Sequence, residues 1–127
     1  MAYRDQGLVL VVEDNVLVAE VTDQLLRSLG YAPIIARSAH EALETLKLSR
    51  VDLVFSDVVM PGGLSGFELA RRIRALFPEL PILLTTGYSE ALVHAEICEF
   101  PVLNKPYHLE ELSAALVSAQ RGGAKPH

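Results

Sequence analysis

Short apolar runs alternating with longer stretches of helical periodicity constrain this chain more than any other feature. The runs fall at residues 8–12, 33–36, 53–56, 82–86 and 101–103. Each is nearly continuous in Val, Ile, Leu or Phe, the pattern of a strand buried on both faces, which a parallel sheet covered by helices requires. The first and fourth carry the clearest signal, and the last is the shortest. Between the first two runs, Val18, Val21, Leu25 and Leu29 recur at helical steps and predict one apolar helix face. Gly30 stands where a left-handed C-cap belongs. Ser38 with Glu41, and Ser65 with Glu68, read as capping boxes that start the second and third helices. Pro78 and Pro81 close the third helix, and Leu109, Leu112 and Leu116 give the last one its inner face. Glu110 and Glu111 suit the positive end of that last helix. The expected fold is α/β, with five strand–helix units in one sheet.

At 127 residues, half of them hydrophobic, the chain has material for one core and not two. A single domain with its core at about 8–120 is expected, and the Gly-Gly and Pro of residues 121–127 read as a tail. The net charge is −5 and the eleven Lys and Arg are scattered, which disfavours direct nucleic-acid binding. No apolar run approaches the roughly 18 residues of a membrane span. The N-terminal stretch carries an acid and no apolar core of a secretory leader. A lone cysteine, Cys98, allows no internal disulfide, and the expected compartment is cytoplasmic.

In an open parallel sheet, ligands bind beyond the carboxyl ends of the strands. Those ends carry polar groups here: Glu13 and Asp14 after the first run, Asp57 after the third, Thr86 after the fourth, and Lys105 followed by Pro106 after the fifth. Converging carboxylates raise one another's pKa unless a cation neutralises them. Oxygen-only ligands without a His or Cys cluster select Mg²⁺, which keeps coordination sites for a phosphate. Asp57 beside such an ion is a credible nucleophile toward phosphorus, giving an acyl phosphate. Lys105 supplies a mobile positive charge for a phosphoryl oxygen, and Thr86 a hydroxyl donor. The histidines His40, His94, His108 and His127 show no ligand spacing, and Cys98 has no basic neighbour to stabilise a thiolate.

The pieces Leu-Val-Val-Glu13-Asp14-Asn, Phe-Ser-Asp57-Val-Val-Met60-Pro61, Ile-Leu-Leu-Thr-Thr86-Gly87 and Leu-Asn-Lys105-Pro106-Tyr resemble the receiver domains of two-component signalling, from about residue 8 to 120. The resemblance implies a flavodoxin-like sheet of order 2-1-3-4-5. It implies that Asp57 accepts phosphate and that Asp14 and Asp57 ligate Mg²⁺. Glu13 would act through a water, and the backbone carbonyl of Val59 would complete the protein ligands. Thr86 and Lys105 would assist transfer, and the Lys105–Pro106 peptide would be cis, which proline makes accessible. The implied partner is a sensor histidine kinase or a histidine phosphotransfer domain, with homodimerisation open and no enzyme activity beyond the domain's own phosphorylation and slow dephosphorylation. The phrases Met-Pro-Gly-Gly-Leu-Ser-Gly and Leu-Thr-Thr-Gly-Tyr-Ser are most similar to receivers at the C-terminus of hybrid sensor kinases; a stand-alone regulator fits the same residues.

Three departures from the family pattern stand out. The position three before Lys105, usually aromatic, is Val102, and Tyr88 two residues after Thr86 is expected to take over as the switch with Thr86. Thr86 and Lys105 are only 19 residues apart, so the helix at 89–100 is expected to be short or loose. The loop from Pro61 to Gly66 is one residue longer than usual. Two alternatives compete. An aspartyl-phosphate phosphatase of the haloacid-dehalogenase type would carry a second acid two residues after the nucleophile, where this chain has Val59. A non-phosphorylated binding module would not need Glu13, Asp14, Asp57, Thr86 and Lys105 all in place.

Overall fold

The alternation becomes one five-stranded parallel sheet in a computed structural model of the chain, which describes residues 7–59, 65–87 and 100–122. In chain order the elements are β1 (Gly7–Val12), α1 (Val16–Ser28), β2 (Tyr31–Ala36), α2 (Ala39–Leu48), β3 (Leu53–Asp57), α3 (Gly66–Leu76), β4 (Ile82–Thr86), β5 (Val102–Asn104) and α4 (Leu109–Gly122). The strand order is β2-β1-β3-β4-β5, and every pairing is parallel. The fold is therefore the flavodoxin-like one expected. β1, β3 and β4 occupy the middle, which is why they are the most continuously apolar. β2 begins at Tyr31, two residues earlier than the apolar run suggested, because its pairing with β1 starts at Gly7↔Tyr31. Pro33 is tolerated there because β2 is an edge strand. β5 is shifted one residue later than expected, to Val102–Asn104.

Successive strand residues face opposite sides of the sheet. Leu10, Val12, Val54, Ile82 and Leu84 pack with Ala42 and Leu46 of α2 and with Leu69 and Ile73 of α3. Val9, Val11, Leu53, Phe55 and Leu83 pack on the other side with Leu26 of α1 and with Leu112 and Leu116 of α4. Each fully buried Leu or Ile is worth about 1.5–3 kcal/mol, so both layers are needed to hold the sheet.

The helix starts follow the local chemistry. Ser65 and Glu68 form a complete capping box. At α2 the box is displaced: Ser38 accepts from the Glu41 amide at 3.1 Å, but the Glu41 carboxylate reaches past Ser38 to the Arg37 amide at 2.8 Å. Gly30 holds a φ of 94° after α1, as the left-handed C-cap requires. One expectation for α1 is corrected. Its buried residues are Ala19, Thr22 and Leu26, while Val21 is 56% exposed and Val18, Leu25 and Leu29 flank the inner face. A threonine and an alanine facing the core hid the true phase from a count of large apolar residues. No helix among the described residues is long and apolar enough to cross a membrane. The helix expected at 89–100, except Phe100, the switch residue Tyr88, and most of the loop from Pro61 lie outside the described residues.

Candidate phosphoryl site at the strand ends

Glu13 follows directly on β1, where its amide still bonds the Ala36 carbonyl of β2 at 3.0 Å. Asn15 caps α1 with its side-chain oxygen on the Val18 amide at 3.0 Å, and its own amide donates to Glu13 Oε2 at 3.1 Å. That tight turn folds Glu13 inward to 5% exposure, while Asp14 stays half-buried beside it. Asp57 ends β3, register-paired with Thr85 of β4. The chain beyond it is tied by the Val58 amide to the Thr85 carbonyl at 2.9 Å and by the Gly66 amide to the Val58 carbonyl at 2.8 Å. Gly66 is required here, because a Cβ would collide with the Asp57 carbonyl and the Val58 Cα. Val59 lies past the strand with its side chain 55% exposed and its amide 3.4 Å from Asp57 Oδ1.

Lys105 enters from the far edge. Its amide bonds the Thr86 carbonyl at 2.9 Å, and the Lys105–Pro106 peptide is cis. Its ammonium lies 3.5 Å from Asp57 Oδ2 and 3.9 Å from Glu13 Oε1. Glu13, Asp57 and Lys105, from three non-adjacent parts of the sequence, thus share one small cavity. Thr86 is buried at the end of β4, on the side of the strand that carries Ile82 and Leu84, and is not among the residues lining that cavity.

Three hydroxyl residues that the sequence reading did not single out do line it: Thr22 from α1, Thr85 from β4, and Tyr107 beyond β5. Each left a faint mark in the sequence: Thr22 in phase with Ala19 and Leu26, Thr85 alternating with Leu83, and Tyr107 two residues after the lysine. The Tyr107 hydroxyl is hydrogen-bonded to Thr22, and its ring packs edge-on against Phe55 at 6.3 Å.

Burial pushes the Glu13 carboxyl above its ordinary pKa. The charges of Asp57 and Asp14 push the same way, and the Asn15 amide and Lys105 oppose them. Burial likewise raises the Tyr107 phenol, with Glu13 and Asp57 adding to the effect and Thr22 opposing it. Among the described residues, no group of three or more His, Cys, Asp or Glu side chains closes tightly enough to hold a metal by itself. The Lys105 ammonium lies within 4 Å of two of the three carboxylates, those of Glu13 and Asp57. The donors nonetheless fit Mg²⁺, which takes one or two carboxylates, accepts backbone carbonyls and keeps several waters.

Comparison with known proteins is consistent along nearly the whole chain. Residues 9–117 match the family model of the response regulator receiver domain. Transcriptional regulatory protein ZraR of Escherichia coli (strain K12) is 33% identical over 114 residues, covering 87% of this chain and 26% of its own length. Response regulator MprA of Mycolicibacterium vanbaalenii is 36% identical over 111 residues, covering 85% and 48% respectively. The chain therefore spans half or less of these curated relatives. The Vibrio cholerae chemotaxis protein CheY4 superimposes with a TM-score of 0.81 at 28% identity, covering 89% of this chain and 98% of that one.

Proposed function

This chain belongs to the response regulator receiver family of two-component signalling, and on that premise we propose that Asp57 takes a phosphoryl group from a phosphohistidine. The donor is a sensor histidine kinase or a histidine phosphotransfer domain. The observation that carries the reading is the Lys105 ammonium drawn from β5 across to Asp57 Oδ2 and Glu13 at the carboxyl edge of the sheet. Such a cation is placed to meet charge on a transferring phosphoryl group.

In the step, a carboxylate oxygen of Asp57 attacks phosphorus. The P–N bond to the imidazole breaks with its electron pair going to nitrogen, and the new P–O bond makes an acyl phosphate. The Val59 amide beside Oδ1 and Lys105 beside Oδ2 orient the carboxylate. Lys105 then turns to a phosphoryl oxygen, and Thr86 moves its hydroxyl from the far side of β4 toward the phosphoryl group, coupling transfer to Tyr88 and residues 89–100. Asp14, Asp57 and the backbone carbonyl of Val59 are the residues to hold Mg²⁺, with Glu13 acting through a water. When bound, that ion neutralises the phosphoryl oxygens. Val59 cannot hydrogen-bond an attacking water, which favours slow loss of the phosphate. The unit that performs this is one receiver domain over about residues 8–120.

The test is intact-mass analysis after incubation with acetyl phosphate and Mg²⁺. Wild type gains one phosphoryl group, and Asp57→Asn, which removes a charge without changing shape, gains none while keeping its fold. Acid-labile phosphate at an unchanged level in that variant sinks the assignment.

A further inference from the structure

Lys105 cannot reach Asp57 without crossing β4. It leaves the sheet from β5, Asp57 ends β3, and β4 lies between them. The β4 residue in register with Asp57 is Thr85, paired on its other side with Leu103. Thr85 shares its side of the strand with Leu83, the side that also carries Phe55 and, by alternation, Asp57. It is 4% exposed, lines the same cavity as Glu13, Asp57 and Lys105, and its Oγ1 has no hydrogen-bond partner among the described residues. A valine would fill that place with the same shape and no unpaired hydroxyl, so the hydroxyl works against the stability of the resting fold.

The donors and acceptors around it indicate its use. An ammonium carries three N–H donors. Two carboxylates face that of Lys105, at the long separations of 3.5 and 3.9 Å. Of the three hydroxyls in the cavity, those of Thr22 and Tyr107 have each other as neighbours, whereas that of Thr85 has no partner among the described residues and stands on the strand that lies between Lys105 and Asp57.

We propose that Thr85 is a positioning residue for Lys105, its Oγ1 accepting the third N–H of the ammonium as Lys105 turns from the carboxylates to a phosphoryl oxygen. The hydroxyl fixes the depth of the positive charge, so that the ammonium stays over Asp57 when Glu13 and Asp57 cease to hold it. This rests on the reading of Asp57 as acceptor. It is distinct from the role given to Thr86, whose side chain lies on the other side of β4.

The test compares wild type, Thr85→Val and Thr85→Ser in the full chain. Thr85→Val should melt at or above the wild-type temperature, yet label Asp57 about tenfold more slowly at saturating acetyl phosphate, the worth of one hydrogen bond to a charged group. Thr85→Ser should recover the rate to within about twofold. A second readout needs no phosphorylation: the chain has only three lysines, Lys47, Lys105 and Lys125, so the Lys105 ammonium can be followed by ¹⁵N NMR. Its protons should exchange with solvent faster in Thr85→Val than in wild type or Thr85→Ser. Labelling of Thr85→Val at the wild-type rate, equal slowing in Val and Ser, or unchanged ammonium exchange would each overturn the proposal. A label that survives Asp57→Asn instead defeats the acceptor reading, and this proposal with it.

Discussion

Burial makes ionisation of Glu13 costly to the fold. Its carboxyl is raised above 4.5 first by burial and then by the neighbouring acids. A group with a raised folded pKa gives its full contribution to stability below its ordinary value and loses it as pH rises through the raised one. At neutral pH the ionised Glu13 is therefore a burden. Glu13→Gln should raise the melting temperature in metal-free buffer, and added Mg²⁺ should narrow the gap by stabilising wild type; a variant that melts lower in metal-free buffer contradicts this account. Glu13, Asp57 and Lys105 were legible in the sequence because each stands where an apolar run stops. Thr22, Thr85 and Tyr107 were not, because a hydroxyl inside an apolar pattern reads as an imperfection in the pattern. Only the packing of α1, β4 and the chain after β5 around one cavity makes them a group.

At the scale of elements, the start of α3 ties helix stability to the site. Ser65 and Glu68 satisfy each other's backbone amides at 3.2 and 3.1 Å, and the next residue, Gly66, lies against the Asp57 carbonyl. Ser65→Ala should cost about 1 kcal/mol in denaturant unfolding. Because the first turn of α3 supports the chain just beyond Asp57, the loss should appear also as faster amide exchange at Val58. Unfolding unchanged within error would mean the cap is redundant. Both this cap and the helix-ending Gly30 were readable from spacing alone, since capping is local chemistry. The inner face of α1 was misread at Val21, because the helix's phase is set by what it packs on: Leu25 and Leu29 do pack against the core, but its buried centre is Ala19, Thr22 and Leu26. A sequence of large apolar residues does not reveal that Val21 faces water and Thr22 the core.

For the molecule as a whole, the two apolar layers were legible, because a buried parallel sheet writes itself as uninterrupted runs, while the strand order came only with the resemblance to receiver domains. The link that closes the sheet against the last helix was not legible. Tyr31 at the start of β2 donates its hydroxyl to Gln120 of α4 at 3.2 Å, joining residues 89 apart. Burial holds the Tyr31 phenol above its ordinary value of 10.0, so stability is complete below that pH and falls as pH rises beyond it. From about pH 9 to about pH 11, wild type should lose melting temperature more steeply than Tyr31→Phe, with Tyr107 preserving part of the slope in the variant. Parallel curves would show that Tyr31 is not the alkaline weak point. The sheet order also separates the charges of the site. Glu13 and Asp57 come from β1 and β3 in the middle of the sheet, whereas Lys105 follows β5 at its edge, held through β4 alone. The cation therefore stays with its acids only while the edge strand stays docked, so the joint between β4 and β5 is also the joint between the two signs of charge.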